Sequence, residues 1–200
     1  MFRSLAMLLA AALLVSVVAC NTNQAGEHNK VLSIGDPAPS WSDLPGTDGE
    51  QHSTADLKQS KAIAVVFTCN KCPVAVAYED RLIALANDYQ DKGVAVVAIN
   101  VNKTENLDEM KTRAEEKEFP FAYIFDDSQQ IAKDYGATNT PHVFLVGKDS
   151  KIAYMGAIDD NQKTDKVTEN WLRDAIDAVL AGNAPEKPET RQFGCSIKWK

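Results

Sequence analysis

Two hundred residues set a prior of one domain with room for an appendage, and 44% hydrophobic with 24% charged residues is the composition of a soluble globular chain with a core of its own. The net charge is −7, and loss of the first nineteen residues, whose only charged group is Arg3, leaves about −8. A chain this acidic is repelled by phosphate backbones, which argues against nucleic acid as a partner.

The N-terminus carries a processing signal. Met1–Phe2–Arg3 supplies a short positive region, and Leu5 to Val18 is an apolar run broken by Ser16. That run is too short to cross the roughly 30 Å hydrocarbon layer as a permanent helix, and it suits the apolar region of a signal peptide over 1–19. Val17–Val18–Ala19–Cys20 is similar to the bacterial lipobox. The resemblance implies cleavage before Cys20 and acylation there, and several acyl chains on one residue anchor stably where one does not. Asn21 in the following position favours the outer membrane over the inner. Residues 20–30 are polar and unpatterned, so they are expected to form a flexible tether.

The folded part is expected over 31–183. Residues 31–60 are rich in Pro, Gly and Asp and form an N-terminal extension, with a hairpin around Thr47–Asp48–Gly49. Lys61–Thr68 is a continuous apolar run, the pattern of a central buried strand. Val74, Tyr78, Leu82, Leu85 and Tyr89 recur at spacings of four, four, three and four, one face of a helix running from Pro73 to about Asp91. Gly93 then admits a second buried strand, Val94–Val101. Asn102 with Glu105 can cap a helix to about Glu118, and Asp126 with Gln129 a short helix ending at Tyr135–Gly136. His142–Lys148 and Lys151–Ala157 flank Asp149–Ser150, a hairpin turn between antiparallel strands. Leu172, Ile176 and Val179 make the inner stripe of a last helix, stopped by Gly182. Residues 184–200, with Pro185 and Pro188, form a tail packed on the domain. Strands alternating with helices predict an α/β class: a mixed β-sheet flanked by helices on both faces.

Chemistry concentrates at Cys69–Asn70–Lys71–Cys72–Pro73, where the central strand ends and the first long helix begins. Two cysteines three apart on a first helical turn bring their sulfurs within reach of a disulfide. The helix N-terminus and the nearby cation of Lys71 both favour the Cys69 thiolate. The thiolate attacks disulfides, and a second cysteine releases the mixed intermediate. Cys72, one turn in, should be the more buried of the two. Pro73 fits a first turn, where its missing N–H costs little. A purely structural disulfide is the bland alternative. A zinc site is the other, but only Cys195 and three histidines remain as partners and none is paired at ligand spacing. No metal and no cofactor is expected.

A second motif, Gly136–Ala137–Thr138–Asn139–Thr140–Pro141, precedes the strand that starts at His142. Together with the order of elements it resembles the thioredoxin superfamily. The extension Gly35–Asp36–Pro37–Ala38–Pro39, the segment Phe67–Val74, Tyr154–Asn161 and Gly194–Trp199 are similar to its redoxin branch, the peroxiredoxin-like proteins with a CxxC. The likeness covers about residues 31–200. It implies a thioredoxin-like fold with a redoxin-type extension and a cis-proline at Pro141 facing the redox pair. It also implies a Thr140 backbone free to pair with an extended substrate strand, Cys69 and Cys72 as the exchanging thiols, and Asn70, Lys71 and Pro73 as tuning residues. Expected partners are exported protein thiols and disulfides with an upstream electron donor, at the envelope membrane through Cys20 and facing the periplasm.

The departures matter. The buried acid that thioredoxin keeps on the preceding strand has no counterpart in residues 62–67, AIAVVF, so another group or water must help deprotonate Cys72. Peroxiredoxins carry threonine three residues before their peroxidatic cysteine, and here that position is Val66. A thiol peroxidase is therefore the alternative enzyme, and a non-catalytic binding lipoprotein the alternative outside catalysis. His142 is either a proton donor beside the sulfurs or a strand residue facing a loop. Asp159–Asp160–Asn161 is either part of the site or a turn. Cys195 is either a third redox thiol or an inert residue of a docked tail.

Overall fold

The computed structural model describes residues 26–200. The signal peptide and lipid attachment read at 1–19 and Cys20 lie outside the described residues. Among the described residues no helix is long and apolar enough to cross a membrane.

In chain order the strands and helices are Leu44–Pro45 (β1), Gln51–His52 (β2), Ala62–Phe67 (β3), Pro73–Tyr89 (α1), Val94–Asn100 (β4), Leu107–Lys117 (α2), Ala122–Phe125 (β5), Gln130–Tyr135 (α3), Asn139–Thr140 (β6), His142–Gly147 (β7), Ile152–Gly156 (β8), Trp171–Leu180 (α4) and Cys195–Ser196 (β9). The main sheet runs β5-β4-β3-β7-β8. β3, β4 and β5 are parallel, β7 is antiparallel to β3, and β8 is antiparallel to β7. This is the mixed sheet of the thioredoxin-like fold.

β3 is apolar throughout because both of its faces are covered. Val65 and Phe67 join Ile99, Phe144 and the α3 residues Ala132 and Tyr135 in one core layer. Ala64 and Val66 point the other way, into Tyr78, Leu82 and Leu85 of α1 and Leu172 and Ile176 of α4. The period-two alternation of a strand thus assigns each β3 side chain to one of two cores.

Register sets up the site. Phe67, the last residue of β3, lies opposite His142, the first of β7. The loop leading to α1 and the loop leading into β7 therefore meet at one end of the sheet.

Two expectations need correction. Asn102 with Glu105 does not cap α2; Asn106 does, accepting from Glu109 N at 3.0 Å while the Glu109 carboxylate accepts from Asn106 N at 3.2 Å. The expected tether is also anchored at its far end. The backbone N–H groups of Glu27, His28 and Asn29 donate to the Glu189 carboxylate at 2.6–3.1 Å, and buried Asn29 donates through Nδ2 to the Tyr135 carbonyl.

The tail is stitched along its length. Glu189 bridges beside Met155, and Thr190 donates its N–H to the Met155 carbonyl at 3.0 Å. Farther on β9 pairs with β6, and Lys198 and Lys200 donate their N–H groups to Asn102 and Gln129 side chains at 2.8 Å. Asp159 is no simple turn residue: its buried carboxylate pairs with Arg81 and accepts from Tyr78 Oη at 2.8 Å.

His142 is a buried strand residue. Its ring lies 4.5 Å from that of Phe144, and its buried Nδ1 has no hydrogen-bond partner. Burial pushes its pKa down to about 3. The unfolded chain takes up this proton below the ordinary value of 6.5 and the folded chain does not, so folding stability falls as pH drops from 6.5 toward 3. Urea melts across that range should show a His142→Leu variant losing less stability than the native chain, by a few kcal/mol. Parallel pH profiles would contradict this account.

Candidate functional site

The site is built where β3, α1 and β7 converge. Thr68 donates its N–H to the Ile99 carbonyl at 3.0 Å, extending the β3–β4 ladder by one residue and fixing where the loop departs. Cys72 is the N-cap of α1: its backbone is extended, its Sγ accepts from Ala75 N at 3.4 Å, and Pro73 opens the first turn. The helix terminus thus presents Ala75 N–H to Cys72.

Between the cysteines, Asn70 and Lys71 tie the loop to its surroundings. Asn70 Oδ1 accepts from Tyr123 Oη at 2.9 Å, and Lys71 Nζ donates to the Thr104 carbonyl at 2.6 Å and to Glu109 at 2.8 Å. The lysine is therefore committed to α2 and its approach, which weakens its expected influence on Cys69.

Sequence reading missed Glu105. It is 5% exposed, and its carboxylate accepts from Asn70 N at 2.8 Å, Lys71 N at 3.1 Å and Asn100 Nδ2 at 2.8 Å. A buried acid is thus supplied to the Asn70–Lys71 side of the redox loop from the loop before α2.

Thr140–Pro141 is a cis peptide. Thr140, completely buried, faces the sulfurs with two groups: its hydroxyl lies 3.2 Å from Cys69 Sγ and its carbonyl oxygen 3.2 Å from Cys72 Sγ.

Three cysteines meet here, and their pairing departs from expectation. The disulfide joins Cys72 to Cys195, with Cα atoms 6.0 Å apart, and Cys69 is the free thiol. Cys195 is therefore neither a free thiol nor remote from the pair. Nor is the Thr140 backbone free, because β9 lies antiparallel to β6 with Cys195 opposite Thr140. Cys69 and Cys72 are each 3% exposed, so the first is as buried as the second.

This burial reverses the expected acidity of Cys69. Desolvation pushes its thiol up, and the Glu105 carboxylate pushes the same way. The Thr140 hydroxyl and the Cys72 and Lys71 N–H groups pull down, without winning.

Fold and site define a thioredoxin-like thiol–disulfide oxidoreductase. The chain belongs to the AhpC/TSA family, whose model matches residues 34–155. It is 29% identical over 125 residues to a thiol-disulfide oxidoreductase ResA of Geobacillus thermodenitrificans, covering 60% of this chain and 67% of that protein. A hypothetical protein of Sinorhizobium meliloti matches with TM-score 0.80 and 35% identity, covering 86% of this chain and 97% of its own. A putative thiol:disulfide interchange protein DsbE of Chlorobium tepidum matches with TM-score 0.55 and 27% identity, over 62% of this chain and 84% of its own.

In the oxidised protein, alkylation of Cys69 should be slow, with a pH midpoint above the ordinary free-thiol value of about 8.5. Iodoacetamide labelling against pH, read by mass spectrometry of the Cys69 peptide, checks this. A midpoint below that value would mean that the helix end and Lys71 outweigh burial.

Proposed function

We propose that this chain is an exported, lipid-anchored oxidoreductase that exchanges disulfides with protein clients through Cys69, Cys72 and Cys195. The supporting observation is the convergence of three cysteines on Thr140, the residue before the cis-proline.

The exchanges balance without a cofactor. In the reduced protein Cys69 thiolate attacks a client disulfide, forming a mixed disulfide and releasing one client thiol. Cys72 thiolate then attacks Cys69 Sγ, releasing the second client thiol and leaving a Cys69–Cys72 disulfide. Cys195 thiolate attacks Cys72 Sγ, Cys69 leaves as thiolate, and the observed Cys72–Cys195 pairing results. Two electrons have passed to the client, and a donor dithiol returns them. The reverse sequence oxidises a client dithiol, and relative reduction potentials set the direction. Glu105, hydrogen-bonded to the Asn70 and Lys71 backbone, positions the loop and supplies the buried negative charge that favours a protonated neighbouring thiol. Asn70, Lys71 and Pro73 hold the geometry in which the two sulfurs face Thr140.

The envelope location rests on the apolar run before Val17–Val18–Ala19–Cys20. Labelling cells with a fatty acid should mark the native protein and not Cys20→Ser, and equal labelling would remove the anchor.

Trapping tests the mechanism. Cys72→Ser removes the resolving thiol, so Cys69 should accumulate reducible adducts with a small set of exported proteins, and Cys69→Ser in the same chain should abolish them. Sulfenic acid at Cys69 under peroxide, without protein adducts, would instead favour a thiol peroxidase. Full complementation of a deletion by the double variant would exclude thiol exchange.

A further inference from the structure

Resting on that function, we propose that residues 193–197 occupy the position of the client strand, so that the site takes extended segments in which glycine precedes the reacting cysteine and an aliphatic residue stands two places after it. The tail must withdraw before such a client binds.

The pairing geometry carries this. β9 runs antiparallel to β6 with Cys195 opposite Thr140 and Ser196 opposite Asn139, and Asn139 Nδ2 donates to the Gly194 carbonyl at 3.0 Å. An extended strand here brings its cysteine sulfur against the cluster that holds both the attacking Cys69 and Cys72, the partner it bonds in the oxidised tail.

Each tail position then reports what the groove tolerates. A Cβ on Gly194 would stand 2.1 Å from the Thr140 carbonyl oxygen and 2.7 Å from its carbon, and Gly194 has φ +153°. Both neighbours are backbone at a buried residue, so neither can move aside, and only glycine fits before the cysteine. Ser196, after it, is exposed and unconstrained. Ile197 is 3% exposed and belongs to the core layer with Phe67 and Ile131. Its departure opens an apolar socket that an aliphatic client residue would fill. Phe193, ahead of the glycine, lies against Tyr78 with ring centroids 6.1 Å apart.

The test uses chromogenic mixed disulfides of peptides reading Phe-Gly-Cys-Ser-Ile, the same with Ala for Gly, and the same with Asp for Ile, beside the mixed disulfide of free cysteine. The fully reduced native chain and a chain ending at Gln192 are compared in single turnover. The glycine peptide should react about tenfold or more faster than either altered peptide, the discrimination expected when one methyl clashes or a socket is left unfilled. Truncation should speed the glycine peptide further by removing the competing tail. Should the shortened chain fold poorly by circular dichroism, Ile197→Asp in the full chain serves as the variant with an expelled tail. Equal rates for the three peptides, with the free-cysteine disulfide still reduced, would overturn the client pattern and leave the oxidoreductase reading intact. No reaction with any disulfide would overturn both.

Discussion

Thr140 is the residue on which the site depends. Its hydroxyl meets Cys69, its carbonyl oxygen meets Cys72, and its backbone pairs with the strand that carries Cys195. All this follows from register. β7 is antiparallel to β3 and its first residue sits opposite the last residue of β3, so the segment before β7 must cross the mouth of the redox loop. The disulfide leaves Cys72 without a proton, and its 3.2 Å approach to the Thr140 carbonyl is then a contact between two electron-rich atoms. Once reduced, the same sulfur gains an S–H that can donate to that carbonyl. The pocket therefore receives the dithiol form with one more hydrogen bond than the disulfide form.

The electrostatics of the oxidised site suit a closed state. Glu105 is buried against the loop and Lys71 is drawn to Glu109, so the nearest buried charge to Cys69 is negative and the cation is spent elsewhere. Together with burial this keeps the free thiol protonated while the tail covers it. A protonated, buried thiol exchanges slowly, which protects the third cysteine while the other two are paired. Removing β9 lets water reach Cys69 and weakens the largest of these effects, desolvation, leaving the Lys71 and Cys72 N–H groups with more influence.

The elements most legible in the sequence were those that packing dictates. β3 and β4 were visible as unbroken apolar runs because both faces are buried, and α1 by its stripe of Val74, Tyr78, Leu82, Leu85 and Tyr89. Less legible was anything decided by competition between equivalent local patterns. The chain carries Asn-x-x-Glu twice in succession, at Asn102–Glu105 and Asn106–Glu109, and both satisfy the capping rule. The second caps the helix, which frees Glu105 for the redox loop. Only the location of Asn70 and Lys71 in space separates the two. Cys195 was ambiguous for a similar reason. Its partner lies 123 residues away in sequence, and which of two neighbouring sulfurs it meets depends on the path of a tail with no regular structure until its last strand.

That long separation gives the third cysteine a physical consequence that a CxxC pair alone lacks. A disulfide between residues three apart constrains almost none of the unfolded chain, whereas one closing a loop of this length removes about 4–5 kcal/mol of chain entropy from the unfolded state in the loop-closure picture. Moving the bond from Cys69–Cys72 to Cys72–Cys195 is redox-neutral, yet it ties the tail to the domain and stabilises the fold in the same exchange. Reduction undoes both effects together. The tail's remaining hold is then noncovalent, and includes Ile197 in the core, the short β6–β9 pairing, the hydrogen bonds that join Lys198 and Lys200 to Asn102, Lys103 and Gln129, and the Lys200–Asp127 ion pair. On the proposed exchange, a client strand offering the same backbone pairing competes with these contacts once the Cys72–Cys195 bond is gone, so the thiol state of Cys195 sets how firmly the groove is closed.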